Sequence, residues 1–335
     1  MPNDNIAVLP IPFGWFCIGF SGDLKMKEVK NIHYFGRDMV LFRNEADEVG
    51  LVDPYCPHLG AHLGHGGEVV GESIRCAFHH WSYDRTGMVT DIPYAKRIPP
   101  KAQKGPCLRA YPIQERNGCL WAWYHPENTE PFTDLVDIPE YSSADWCEMK
   151  TRFWTFRGSV QDIAENGADV AHFKFIHGMN EVPSGETIYD GEKRTTTVSG
   201  ALTLPDGKGG ENTYQQRIEV SQHGAGLKWD RFSGVADILL MVLVTPVNVE
   251  TVEVRFAFTH KNYDAESPQL RACEEHIELV AGATGLEADI PIWHNKAHLK
   301  NPLLCDGDGP IMRFRKYFNQ FYLGDSPYHQ QESLE

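Results

Sequence analysis

The sequence predicts an α+β protein in two domains, and three features predict it. Residues 10 to about 125 alternate short β-like runs with turn residues at close intervals, as an all-β domain does. Residues 126–146, PENTEPFTDLVDIPEYSSADW, are rich in proline and acid and read as a linker. Beyond them, long β runs are followed by helical stretches, the order expected of an antiparallel sheet with helices on one side. The resulting boundaries are 1–125, 126–146 and 147–335. A chain of 335 residues is long enough for two separate cores.

In the first domain the clearest strands are Trp15–Phe20, Asp38–Phe42, Val49–Val52 and Cys119–Tyr124. The second domain opens with an aromatic strand, Arg152–Arg157, and a helix from about Val160 to Ile176. Strands are expected at Thr195–Thr203, Asn212–Val220, Leu227–Arg231, Ala236–Val244 and Val252–His260, with Pro205–Asn212 as a turn between two of them. Helices are expected near Ser267–Gly282, Ile290–Lys300 and Pro310–Phe321.

Composition narrows the class of partner. The net charge of -15 repels phosphate backbones, so nucleic acid is not expected. The longest apolar run, Ile238–Val244, stops at Pro246, far short of the roughly 20 residues of a membrane helix. The N-terminus carries no signal-peptide pattern, so a cytosolic protein outside the membrane is expected, with its eight cysteines unbridged.

Two of those cysteines sit in a metal-ligand pattern. Residues 55–67 read YCPHLGAHLGHGG and residues 75–83 read RCAFHHWSY. They form Cys56-x-His58 and Cys76-x-x-His79, each half offering one thiolate and one imidazole. That donor set suits a [2Fe–2S] cluster in which two thiolates hold one iron and two imidazoles the other. Zinc sites usually pair like with like in each half, which the mixed halves argue against. Pro57 and Gly60 tighten the first loop, Gly66-Gly67 supply its return, and Phe78 and Trp81 are placed to cover the cluster. His62, His65 and His80 read as polar loop residues.

A second pattern lies in residues 165–178, ENGADVAHFKFIHG. Asp169 and His172 share a helix face, but His177 lies about 140° from His172 on a regular helix. For both histidines to bind one metal, the helix must end or kink between them, and Gly178 is a reasonable terminator. Two histidines need a carboxylate to form the facial triad of non-haem Fe(II) oxygenases. Asp289, ahead of Pro291 at an expected helix start, is the preferred candidate; Glu287, Asp306 and Asp308 compete, and spacing does not choose among them. Asp169 reads as a carboxylate that hydrogen-bonds a ligating imidazole or connects the two metal centres, and Asn166 as a residue lining the site. His294 and His298 read as a solvated helix face.

With both patterns in one chain, the sequence resembles the Rieske non-haem iron oxygenases along nearly its whole length. DIPYAKRIP (91–99), DIPIWHNK (289–296), NPLLCDGDGP (301–310) and KYFNQFY (316–322) are similar to the branch of 3-ketosteroid 9α-hydroxylase oxygenases and sterol C7 desaturases. The resemblance implies a helix-grip catalytic domain and Asp289 as the third iron ligand. It also implies a homotrimer or larger ring in which Asp169 passes electrons between subunits. Two positions depart from the pattern: His80 stands where the broad family has glycine, and Lys300 where steroid hydroxylases tend to carry an acid.

The expected activity is hydroxylation of an apolar, steroid-like substrate with O2. Electrons would come from a separate NAD(P)H-dependent reductase or ferredoxin, since no G-x-G-x-x-G opens a helix after a strand. Demethylation, desaturation and dioxygenation are alternatives, and a non-catalytic Rieske electron carrier is the alternative of another class. Leu239, Met241, Leu243, Phe256 and Phe258 suit an apolar substrate, though each alone reads as core.

Overall fold

Side chains alternate across a strand, so each strand's pattern decides which face is buried. The structure, a computed structural model, describes residues 5–205, 210–234 and 236–324. Residues 206–209 of the expected turn lie outside the described residues. Backbone packing separates two compact units, residues 15–134 and residues 5–14 with 135–324.

A short strand β1 (Ile6–Ala7) precedes the first unit in sequence. That unit then contains β2 (Gly14–Phe20), β3 (Val29–Tyr34), β4 (Arg37–Arg43), β5 (Val49–Val52), β6 (Glu68–Val70), β7 (Ser73–Arg75), β8 (Ser82–Tyr83), β9 (Val89–Asp91), helix α1 (Pro100–Lys104), β10 (Ile113–Arg116) and β11 (Cys119–Tyr124). Its sheets run β10-β11-β2, β3-β4-β5 and β6-β7-β8-β9. One core cluster joins Val40, Phe42, Val52, Ile74 and Leu108 to the buried Cys56, Cys76 and Tyr83.

The second unit contains β12 (Lys150–Arg157), α2 (Val160–Glu165), α3 (His172–Phe175), β13 (Ser184–Asp190), β14 (Lys193–Pro205), β15 (Glu211–His223), β16 (Leu227–Ser233), β17 (Ile238–Pro246), β18 (Thr251–His260), α4 (Pro268–Ala281), α5 (Leu286–Asn295), β19 (His298–Leu299) and α6 (Ile311–Phe318). Seven strands form one antiparallel sheet in the order β12-β18-β17-β16-β15-β14-β13. The apolar run ILLMVLV lies in β17, near the middle of that sheet and buried along its whole length. β12 and β13 are the two edges, so the residues between them must cross from one side of the sheet to the other. No helix among the described residues is long and apolar enough to cross a membrane.

Four expectations are corrected here. Residues 5–14 belong with the second unit, because β1 pairs antiparallel with β19 and the Lys300 N–H donates to the Asn5 carbonyl. The single helix expected over 160–176 is two, broken where Asn166, Gly167 and Ala168 turn back onto carbonyls three residues earlier. Asn and Gly are poor helix formers, and a Cβ at Gly167 would sit 2.6 Å from Arg194 Nη2. The helix expected at 290–300 is α5, which starts earlier and holds Pro291 in its interior. His298 is therefore not on a solvated helix face: it is buried in β19, its Nδ1 2.8 Å from Asp162 Oδ1. Strand β13 was not expected from sequence.

The crossing segment is anchored by two buried carboxylates on α2. Ser159 caps the helix, its Oγ accepting the Asp162 N–H and donating to Asp162 Oδ2. Burial opposes ionisation of Asp162, but His298, Lys296 and Ser159 outweigh it and hold the carboxyl well below the usual carboxylate range. Glu165 receives a bidentate pair from Arg315 on α6, with Nε–Oε2 2.6 Å and Nη2–Oε1 2.9 Å. Arg315→Ala, which strands a buried carboxylate, is expected to cost about 3–5 kcal/mol of stability. Arg315→Lys should recover little of it, because an ammonium does not reproduce the fork. A urea midpoint unchanged by Arg315→Ala would refute the anchoring role.

Candidate metal centres

In the first unit, the two Cys/His loops share one backbone plan. The Cys56 N–H donates to the Ala61 carbonyl, and the Gly60 N–H to the Cys56 carbonyl. The Cys76 N–H donates to the Trp81 carbonyl, and the His80 N–H to the Cys76 carbonyl. Gly60 and His80 occupy the same place in the two loops, with φ of 77° and 58°. Glycine adopts that left-handed region most easily, which accounts for the departure at His80 being a strained position. At the return of the first loop, a Cβ on Gly67 would stand 2.0 Å from the Leu63 carbonyl oxygen.

These loops bring His58 and His79 together, ring centroids 4.8 Å apart and planes at 76°. Cys56 and Cys76 are 2% exposed in the core, and burial pushes the Cys56 thiol up. The Tyr83 hydroxyl lies 3.1 Å from Cys56 Sγ; burial, then this contact, keep the phenol protonated and so available as a donor. His79 Nδ1 is buried without a hydrogen-bond partner, the condition of a nitrogen whose lone pair is meant for a metal. The donor set therefore fits a [2Fe–2S] cluster. Trp81 stacks on His58 at 4.8 Å and donates its indole N–H to Tyr94 Oη. Phe78 packs against His79 but is itself 60% exposed, so it covers less than expected.

In the second unit, His172, His177 and Asp289 present ligand atoms that all lie within 4.8 Å of one another. α3 is a single turn and ends before His177, and Gly178 has φ of 70°. This break turns the two imidazoles toward each other, with centroids 5.0 Å apart. Each ring is aimed by a backbone carbonyl: His172 Nδ1–H donates to Asp169 O, and His177 Nδ1–H to Thr284 O at 2.9 Å. That choice of tautomer leaves both Nε2 lone pairs for a metal. His177 Nε2 stands 3.3 Å from Asp289 Oδ2. Burial pushes the His172 imidazole below its ordinary value; at His177 burial acts the same way, but Asp289 outweighs it and raises the group. Asp289 thus draws positive charge to the point where an iron would sit, and the three groups fit the facial triad.

Two of the competing acids are engaged elsewhere. Glu287 accepts from Trp154 Nε1, and Asp308 accepts the Cys305 N–H. Asp169 acts differently from the sequence reading. Its carbonyl, not its carboxylate, holds the imidazole, and its carboxylate accepts the His172 N–H at 3.3 Å.

A cleft opens onto the three ligand atoms. Asn166 lines it, as do Ile218, Val220, Phe232, Leu240, Val242 and Phe256 of the sheet. Of the five apolar residues singled out from sequence only Phe256 lines it; Leu239, Met241 and Leu243 alternate to the other face. Sequence reasoning also missed Lys228, Asp230 and His276. The first two are charged residues two apart on a strand, so they share the face of the apolar Phe232, and that spacing was the available signal.

Two outcomes follow. Tyr83→Phe removes a hydrogen-bond donor to the sulfur of a candidate cluster ligand, so the reduction potential of a cluster held there should fall; an unchanged protein-film voltammogram would refute the contact. Burial pushes His276 down to about 4 from its ordinary 6.5. Between those values the unfolded chain binds a proton that the folded chain refuses, so stability is lost as pH falls across that window, by up to about 3 kcal/mol. Urea melts at pH 7 and 4.5 should show a smaller acid loss for His276→Gln than for the parent.

Comparison with known proteins gives the same picture. Residues 14–112 match the Rieske [2Fe-2S] domain, and residues 122–322 match the 3-ketosteroid 9α-hydroxylase C-terminal domain. A 3-ketosteroid-9-alpha-monooxygenase oxygenase component of Rhodococcus rhodochrous is 31% identical, covering 95% of this chain and 83% of the relative. Cholesterol 7-desaturase of Drosophila melanogaster is 32% identical, covering 95% and 76%. A crystal structure of dicamba monooxygenase shares the fold with a TM-score of 0.72 at 14% identity, covering 98% of this chain and 100% of that one. A Rieske domain and a matched C-terminal domain, which carries a His/His/Asp group able to hold a metal, together make this chain a Rieske non-haem iron oxygenase of the 3-ketosteroid 9α-hydroxylase family.

Proposed function

We propose that this chain is the oxygenase component of a multicomponent monooxygenase that hydroxylates an apolar, steroid-like substrate. The observation that carries the proposal is the apolar cleft whose wall includes His172, His177 and Asp289. Iron bound there would supply O2 activation, and the cluster would supply electrons from a separate NAD(P)H-dependent reductase or ferredoxin. The chain's own residues do the rest. Val220, Phe232, Leu240, Val242 and Phe256 exclude water and hold a flat apolar molecule against the metal end of the cleft. Asp169 holds His172 through both its main chain and its carboxylate. In the homotrimer that the family resemblance implies, Asp169 is the residue through which a neighbouring subunit's cluster would pass its electron. Desaturation is a second reading, favoured by the similarity to the Drosophila sterol desaturase.

His172→Ala and Asp289→Ala are expected to take the protein from about three irons per chain to about two. The visible spectrum of the cluster should persist, while product from a steroid panel disappears. Turnover retained in either variant would overturn the assignment of the iron ligands.

A further inference from the structure

The sheet wall of the cleft is apolar except for one charged pair. Lys228 and Asp230 alternate on β16 with Phe232, so all three face the same way. In register across the sheet, Lys228 stands opposite Val242, and Asp230 stands between Val220 and Leu240. All of these line the cleft. The two charged side chains are only 20% and 10% exposed. Placing an ion pair on an otherwise apolar wall is costly unless its remaining hydrogen-bonding capacity is used.

That capacity is of two kinds. Lys228 Nζ donates to Asp230 Oδ2 at 2.6 Å and keeps two more N–H donors. Asp230 has acceptor capacity to spare, since Oδ1 is buried without a hydrogen-bond partner. Arg194, buried behind Gly167 of the cleft wall, lends this carboxylate positive charge without bonding to it.

We propose that Lys228 and Asp230 form a subsite for a hydroxyl group, so that the substrate is an apolar molecule bearing an alcohol. The inference rests on the reading of the cleft as the substrate site. An alcohol oxygen accepts from Lys228 while its O–H donates to Asp230, using both halves of the pair. A ketone accepts from Lys228 and leaves the carboxylate unsatisfied. A carboxylate is repelled by Asp230 and an ammonium by Lys228. The pair thus favours a sterol-like alcohol over the matching ketone.

The test uses the cluster- and iron-loaded protein and three probes that differ at one carbon: cholestanol, cholestanone and cholestane, delivered in cyclodextrin. Equilibrium binding should rank cholestanol first by about 10- to 100-fold, the range of one hydrogen bond to a charged group. Asp230→Asn puts an N–H donor where the acceptor was, so the ratio of alcohol to ketone affinity should collapse toward one or invert. A general loss of packing would weaken all three probes together and leave the ratio intact. Equal binding of alcohol and ketone by the parent protein overturns the hydroxyl subsite and leaves the steroid reading standing. Binding of none of the three overturns both. The ranking in the parent protein decides the matter even if the variant does not fold.

Discussion

Two buried carboxylates one turn apart on α2, Asp162 and Glu165, carry the constraint on which the catalytic unit depends. The sheet begins at one edge with β12 and resumes at the other with β13, so the chain between them must cross. A crossing segment with two short helices has little regular hydrogen bonding of its own. It is tied instead by charge: Asp162 to His298 and Lys296, Glu165 to Arg315. Those partners come from the far C-terminal part of the described chain. Breaking either tie would leave a charge in the interior, which is far worse than never having buried one. The placement of His172 and His177 therefore depends on residues more than a hundred positions away.

Within that frame, the direction of each candidate ligand is decided by backbone hydrogen bonds. The carbonyls of Asp169 and Thr284 take the Nδ1 protons of the two histidines, leaving both Nε2 lone pairs unused, and His177 Nε2 stands 3.3 Å from Asp289 Oδ2. In the first unit, two loops with the same pair of backbone bonds present a cysteine and a histidine each. Side chains aimed by carbonyls and amides lose little entropy when a metal arrives, because their rotamers are already chosen. The left-handed φ of His80 is the cost of keeping the second loop on the plan of the first.

The cleft combines two demands that pull against each other. Apart from one charged pair its sheet wall is apolar, which dries the space beside the candidate ligands and strengthens electrostatic interactions there. Into that wall β16 sets Lys228 and Asp230, whose charges are tolerated because they pair with each other. The family divides between relatives named as ketosteroid monooxygenases and as sterol desaturases.

The features legible in the sequence alone are local. The Cys/His halves are three and four residues long, the helix break before His177 follows from its spacing to His172, and most strands follow from period-two runs and turn residues. These are short-range consequences of backbone geometry, legible in any window of the chain. The choice of Asp289 over Glu287, Asp306 and Asp308 was not, because only folding brings residue 289 to residues 172 and 177. Nor was the role of His298, which looked solvated until β19 paired with a two-residue strand at the other end of the chain. The face of β17 that lines the cleft, Leu240 and Val242 rather than Leu239 and Met241, was equally hidden, since both faces of that strand are apolar. Tertiary structure decided these points because each depends on a contact between distant residues, and a one-residue choice of face carries no signature when both faces are buried.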